Sequence, residues 1–502
     1  MSRAPWFSVA VRFAVSVLAA AVALPGSVTG SVAARAVVMH PAVSDFAFIS
    51  ASETPPTQAQ CFSATPVHRR CFTPQTIRAA YNLGPLYAAG KDGRGVTIAI
   101  VDSFGSDTIA HDLHVFNRAF GLQPMCGEEG VTCAAGMPTF SQLAVQGSPP
   151  TNEQPGGGPH QEDHTLWALE VSLDVEMAHA IAPMANILLV TTPTAETLGN
   201  QGFPAMMNAE QFVVDNHLAS VISQSFGSAE DAFSSTEALQ NRRHAFESAA
   251  ANGVTVLASS GDGGTANGSK EPVGQGGRSF PFPTVQWPAS DPLVTAVGGT
   301  YLCTDPTNTT ARVANNVVPP TNCQVTPAQA EIGWVGSGGG FSHVFDRPAY
   351  QNSLPAGSTP IGAARGVPDV GLQASARTGA LVFISLPPDG SGGLACGGAP
   401  CSTGWYDIGG TSLSAPQWAG MVAIADQING GGLGLINPAL YRIGANPARY
   451  AADFFDVTTG NNQADPSVPG YLATTGWDPV TGLGTPNAAN LLPDLVLAAH
   501  GG

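Results

Sequence analysis

A series of short, continuous apolar runs limits what this chain can become more than any other feature. The first is Val96-Thr97-Ile98-Ala99-Ile100-Val101, closed by Asp102-Ser103. An unalternating run of this length is what a strand looks like when both faces of its sheet are covered, the usual state of a parallel sheet. Comparable runs lie at Asn186 to Val190, Leu218 to Ser223, Val254 to Ala258, Leu293 to Val297 and Gly379 to Ile384. Between them, His164 to Ala180, Ala205 to Asn216 and Ser235 to Asn252 have helical patterning, as does Gln75 to Tyr81 before the first run. Strands alternating with helices predict an α/β fold with a mainly parallel central sheet flanked by helices.

The 502 residues are 43% hydrophobic and only 11% charged, enough to bury a large core. Net charge is −17 and the lysines are Lys91 and Lys270 alone, so nucleic acid and anionic membrane surfaces are poor partners. Few cations and many carboxyls also suit an acidic medium, where the negative charge fades.

Arg3 and Arg12 precede the apolar run Phe13 to Leu24, then Pro25-Gly26 and small residues. This reads as a signal peptide over residues 1–33, with cleavage after Ala33, and the run is short for a membrane span. A secreted, extracellular protein without a stable membrane anchor, and a monomer, is the expectation. Residues 34–72 are rich in Ala, Ser, Pro and Thr and read as an extended arm or short pro-segment. The folded unit is expected over 73–502. Eight cysteines fall in sequential couples: Cys61 and Cys71, Cys126 and Cys133, Cys303 and Cys323, Cys396 and Cys401. An even count in an exported chain favours disulfides, with sequential pairing the simplest of the connectivities open.

Three stretches carry chemistry. In Gly409-Gly410-Thr411-Ser412-Leu413-Ser414-Ala415-Pro416 a serine is presented where glycines meet a helix, with the proline expected in the first turn. The amides and dipole of a helix start favour developing negative charge, which suits a nucleophile that makes an oxyanion. Taken alone, Ser412 or Ser414 could equally be an N-cap. In the run Trp167 to His179, Glu170 and Asp174 stand one turn apart on one helix face. The helix is apolar nearly all round, so the two carboxyls are buried together, and a pair sharing one proton can act as a general base. Third, Val254 to Ala258 ends in the glycine-rich turn Ser259-Ser260-Gly261-Asp262-Gly263-Gly264, the kind that builds sites at the carboxyl ends of parallel strands. An Asx-turn or a cation ligand is the plainer role for Asp262.

With these stretches in view the chain resembles the sedolisin family of serine-carboxyl peptidases from about residue 73 to the C-terminus. Glu170 and Asp174 match the family's Glu-x-x-x-Asp helix, Ser412 its Gly-Thr-Ser nucleophile and Asp262 its oxyanion aspartate. Trp287 to Pro292, Thr295 to Thr300, Ser337 to Ser342 and Arg365 to Val370 match as well. The resemblance implies a subtilisin-like fold and an acid-active serine-type endopeptidase acting on protein or peptide substrates. Ser412 would attack, Glu170 would act as base, Asp174 would orient it, and Asp262 would stabilise the oxyanion. It also implies one structural calcium ion (Ca2+) near the C-terminus, held by the Asp456 and Asp478 side chains and the Val457, Thr474 and Gly476 carbonyls. Without the resemblance Asp456 and Asp478 read as turn residues. Ser225-Phe226-Gly227 would form a substrate wall, where the family often has Ser-Trp-Gly. Gly263 stands where serine is common, and residues 34–72 leave little room for the family's usual long pro-domain.

Two other readings compete. A subtilisin-like Ser-His-Asp peptidase would use Asp102 and His164, although a His-Gly-Thr motif is absent. A secreted binding scaffold could keep the fold without catalysis.

Overall fold

The computed structural model describes residues 40–41, 45–64, 69–146, 161–193, 202–268, 279–302, 331–385, 395–396, 399–400 and 403–501. Its centre is an eight-stranded sheet whose order is Glu331–Gly333, Thr295–Leu302, Thr255–Ser259, Val221–Gln224, Thr97–Ser103, Asn186–Thr192, Phe140–Ala144, with Val370–Gln373 also pairing Thr295–Leu302. All pairings are parallel except that of Glu331–Gly333, which is antiparallel.

Consecutive strand residues bury on opposite faces. Ile98, Ile100 and Leu257 enter one core; Ala99, Val101, Val256 and Ala258 enter the other. This is why the runs do not alternate. On one face lie the helices Gln161–Ile181 and Thr411–Asn429, and on the other Gly202–Asp215 and His244–Ala251.

Gln161–Ile181 packs between Thr411–Asn429, the sheet, the helix Ile109–Phe120 and the strand Thr378–Ile384, and every residue from Leu169 to Ala182 is buried. At Gly420 the two long helices approach so closely that a Cβ would stand 2.7 Å from that of Ile181. They run in the same direction. The Gly93 N–H donates to Gln427 Oε1 near the end of one (3.0 Å), and a Cβ on Gly93 would meet Ala182 and Ala185 just past the end of the other. Their amino-terminal halves therefore both rise towards the carboxyl end of the sheet.

Three expectations are corrected. Gly379 to Ile384 lies not in the central sheet but in a second, four-stranded one, ordered Phe46–Ser50, Gly404–Ile408, Thr378–Ile384, Arg70–Phe72. Ser235 to Asn252 is two helices, Thr236–Gln240 and His244–Ala251, parted by the polar Asn241-Arg242-Arg243. Pro416 is not in the first turn, because its helix already begins at Thr411.

The stretch read as an arm supplies the strands Phe46–Ser50 and Arg70–Phe72, the helix Gln58–Ala64 and the Cys61–Cys71 disulfide. Cys126–Cys133 is the other disulfide among the described residues. The Cys303–Cys323 and Cys396–Cys401 couples and the signal peptide lie outside what is described. Among the described residues no helix is long and apolar enough to cross a membrane.

Candidate active site

Three neighbouring strands end side by side: Thr97–Ser103 in Asp102-Ser103, Val221–Gln224 before Ser225, and Thr255–Ser259 before Gly261-Asp262. Each of these ends reaches one of the two long helices or the acids they carry.

The strand Gly404–Ile408 leads through Gly409-Gly410 into the helix at Thr411. Gly410 has φ 121°, a backbone that favours glycine, and makes no side-chain cap. The cap comes from another loop. Asp262 Oδ1 accepts from the Thr411 N–H (2.7 Å) and the Thr411 hydroxyl (3.0 Å), whose oxygen accepts from the Gly261 N–H (3.0 Å). Asp262 is thus clamped beside the first turn, and Ser412, the next residue, is buried there with a first-turn N–H. The Ser414 hydroxyl donates to the Gln373 carbonyl (2.9 Å), so it serves packing.

Glu170 and Asp174 are both fully buried. The parallel course of the helices, with Gly420 set against Ala178 and Ile181, brings the turn that holds Ser412 alongside the turn from Glu170 to Leu173, eight residues earlier on each. Asp174 Oδ1 accepts from the Ser225 hydroxyl (2.9 Å). Burial above all, then the charges of Asp102 and Glu170, hold the Asp174 carboxyl well above the usual range, with the Ser225 hydrogen bond opposing. Asp102 is also fully buried, and burial pushes it up to about 8. The acid pair is therefore a triplet. Asp102 entered the sequence reading only as part of a Ser-His-Asp arrangement; an acid closing a wholly apolar strand was the available signal. His164 lies six residues before Glu170 in the same helix, with its side chain outside the described residues.

The wall Ser225-Phe226-Gly227 uses its side chains inward. Ser225 is committed to Asp174, and the fully buried Phe226 ring lies 6.3 Å from Phe203 and 6.4 Å from Trp167. What the wall can offer is backbone, and it is already paired: His40–Pro41 runs antiparallel along the strand Phe226–Ala229, with His40 opposite Gly227. A few residues on, the Asp45 carbonyl accepts from the Gly409 N–H (3.0 Å), three residues before Ser412.

The residues expected to hold a cation also converge. Both Asp456 oxygens accept from the Gly476 N–H (3.1 Å), and Asp478 accepts from the N–H groups of Thr474 (3.0 Å), Val480 (2.8 Å) and Thr481 (2.9 Å). Asp478 is fully buried, and burial lifts it to about 7. Neither acid forms an ion pair among the described residues, where no three His, Cys, Asp or Glu side chains converge. Two buried or half-buried carboxylates, with no cationic partner among the described residues, supply hard oxygens of the kind calcium takes.

A mainly parallel sheet flanked by helices, with a buried serine at one helix start and buried acids on the neighbouring helix and at a strand end, defines a subtilisin-like α/β fold. No family model matches the chain. It is 32% identical over 448 residues to Kumamolisin of Bacillus sp. (strain MN-32), covering 88% of this chain and 66% of the relative. It is 32% identical over 357 residues to tripeptidyl-peptidase 1 of Homo sapiens, covering 67% of this chain and 53% of the relative. The structure of Pseudomonas sedolisin, a serine-carboxyl proteinase complexed with pseudo-iodotyrostatin, superposes with TM-score 0.58 at 26% identity over 85% of this chain and 98% of that one. The chain belongs to the sedolisin family of serine-carboxyl peptidases. It spans about two thirds of Kumamolisin and about half of the tripeptidyl-peptidases.

Proposed function

We propose that the chain is an acid-active serine-carboxyl endopeptidase that cleaves proteins or peptides through an acyl-enzyme on Ser412. The observation that carries this reading is Asp262 clamped by Thr411 beside Ser412, on a helix packed against the one that carries the buried acids Glu170 and Asp174.

Burial above all holds protons on Asp102 and Asp174 well above the usual carboxyl range, so these two stand as protonated neighbours of Glu170, the acid assigned here as base. Ser412 Oγ attacks the peptide carbonyl while Glu170 takes its proton. The carbonyl π electrons move onto oxygen, and the Ser412 N–H with Asp262 stabilises the oxyanion. On collapse the C–N bond breaks, and Glu170 returns the proton to the leaving amine. Water then repeats the two steps, releasing the acid and restoring Ser412.

Asp262 Oδ1 accepts two hydrogen bonds, so a proton on this carboxyl sits on Oδ2, where it can be donated. An ionised Asp262 would instead oppose the oxyanion by about 4 kcal/mol at ~4 Å and an effective dielectric near ~20. That corresponds to roughly three decades in rate, so activity belongs to acid pH.

Val457, Thr474 and Gly476 carbonyls with Asp456 and Asp478 would hold one calcium ion, whose charge would bind these C-terminal loops together. The disulfides suit action outside the cell, in keeping with the leader read from residues 1–33.

A pH–rate profile on a denatured protein substrate tests the reading, with Ser412→Ala and Glu170→Gln as controls. Activity should peak in acid and be lost by neutral pH, and each variant should retain less than about 1% of it. Equal rates at pH 4 and pH 8, or full activity in Ser412→Ala, would sink the mechanism.

A further inference from the structure

The geometry points to Trp167 as a positioning residue for Glu170: its indole N–H donates to the Glu170 carboxylate once that acid has given up its proton. The inference rests on the peptidase reading above.

Trp167 stands apart from the rest of its helix. Leu169, Leu173, Val175 and Ile181 pack in the core on their own side of the sheet, with Ile98 and Ile100. Trp167, from the same helix, packs in the core on the other side, with Val101 and Phe203. A side chain passes from one side to the other only around an end of the sheet, and the amino-terminal half of this helix rises towards the carboxyl end. The indole therefore lies across the strand ends, where Asp102 and Ser225 stand. Its ring is 6.4 Å from that of Phe226, the residue after Ser225.

Trp167, Glu170 and Asp174 follow one another at spacings of three and four, on one helix face. Ser225 donates to Asp174 and Phe226 packs on Trp167, so two consecutive residues hold the two ends of this face, with Glu170 between them. Trp167 is fully buried, and its Nε1–H has no acceptor among the described residues. A buried donor left unmatched costs stability, and a native fold that keeps one calls for a use.

The groups around Glu170 supply that use. Asp174 on its own helix and Asp102 on the strand are acids, which disfavour a charge on it. The Ser225 hydroxyl is committed to Asp174, and the Ser412 hydroxyl is the one to be deprotonated. Asp112 of the helix Ile109–Phe120 and the Phe383 N–H stand with Glu176 instead. The indole N–H, one turn away, is a neutral donor that favours the charged carboxylate, and so keeps the base ionised in acid.

The test replaces Trp167 by β-(3-benzothienyl)alanine, a ring of the same shape with sulfur in place of the N–H, alongside Trp167→Phe. For each, kcat/KM on a peptide is followed from acid to neutral pH. Without the N–H the ionised form of Glu170 loses a hydrogen bond, so the acid limb should move to higher pH by about one unit, a roughly tenfold loss on the acid side. Below that limb the unfolding temperature of the sulfur analogue should be unchanged or higher, since no bond is lost there. The limb is a midpoint read within one preparation, so it does not depend on how much of a variant folds. An unmoved limb in the sulfur analogue, with or without a lower unfolding temperature, overturns the role of Trp167 and leaves the peptidase reading standing. No cleavage by the unaltered protein anywhere from acid to neutral pH overturns both.

Discussion

Asp369 and Asp174 are both fully buried carboxyls, yet their company differs. Asp369 receives the Arg365 guanidinium (2.6 Å), the Tyr441 hydroxyl (2.9 Å) and the Ala296 N–H (2.9 Å). Asp174 receives one neutral hydroxyl, from Ser225, and faces two further acids. Burial disfavours the charge on both. At Asp369 a guanidinium compensates it; at Asp174 a proton does. A guanidinium stays where it is, whereas a proton can move between neighbouring oxygens, and that separates a structural acid from a reactive one. Burial alone marks neither.

The largest expected effect breaks the two apart. Asp174→Asn should lower kcat by about 10²–10⁴ while leaving the unfolding temperature unchanged or higher, since a buried acid among acids is removed. Arg365→Met should do the reverse: it strands Asp369 and lowers stability by about 3–5 kcal/mol, with kcat per folded molecule retained. Chemical denaturation and active-site-normalised kinetics measure both. If Asp174→Asn kept kcat within about twofold, the comparison would fail.

The proton account also fixes a sign. Asp102 keeps its proton to about 8 when folded, against an ordinary 3.8, so between these values the folded state binds the extra proton. Its contribution to stability is complete below about pH 4 and is lost as pH rises through 8. The unfolding temperature should therefore fall from pH 4 to 8, and less steeply in Asp102→Asn. An identical slope in that variant would remove Asp102 from the acid triplet.

In the proposed calcium site, Asp456 and Asp478 would show a third kind of compensation, by a divalent cation. A chelator should lower stability by about 2–3 kcal/mol relative to calcium at ~100 times its dissociation constant. No shift on chelation, with calcium absent by elemental analysis, would return both acids to the role of turn residues.

Much of this arrangement is legible in the chain. The strand runs reveal themselves because both faces are covered, and Glu170 and Asp174 stand out because they lie one turn apart in a helix that is apolar nearly all round. Other parts depend on partners far away in sequence. An apolar run such as Gly379 to Ile384 reads the same in either sheet; its neighbours Gly404–Ile408 and Arg70–Phe72 decide the matter. Asp102 joins the acids only through the order of strands, and the Ser225 hydroxyl turns towards Asp174 for the same reason. Phe46–Ser50 forms a strand because it meets Gly404–Ile408, a pairing hidden within a stretch poor in periodicity.

That last pairing has a mechanical side. Phe46–Ser50 lies along the strand that runs without interruption into Gly409-Gly410 and Ser412, and the Asp45 carbonyl is tied to Gly409 itself. Tension on the chain before His40 would meet two pairings in turn, that of His40–Pro41 with the wall strand and then that of Phe46–Ser50 beside the serine loop. Because Phe46 stands opposite Ile408, the second pairing would be loaded first at the end that leads to the serine.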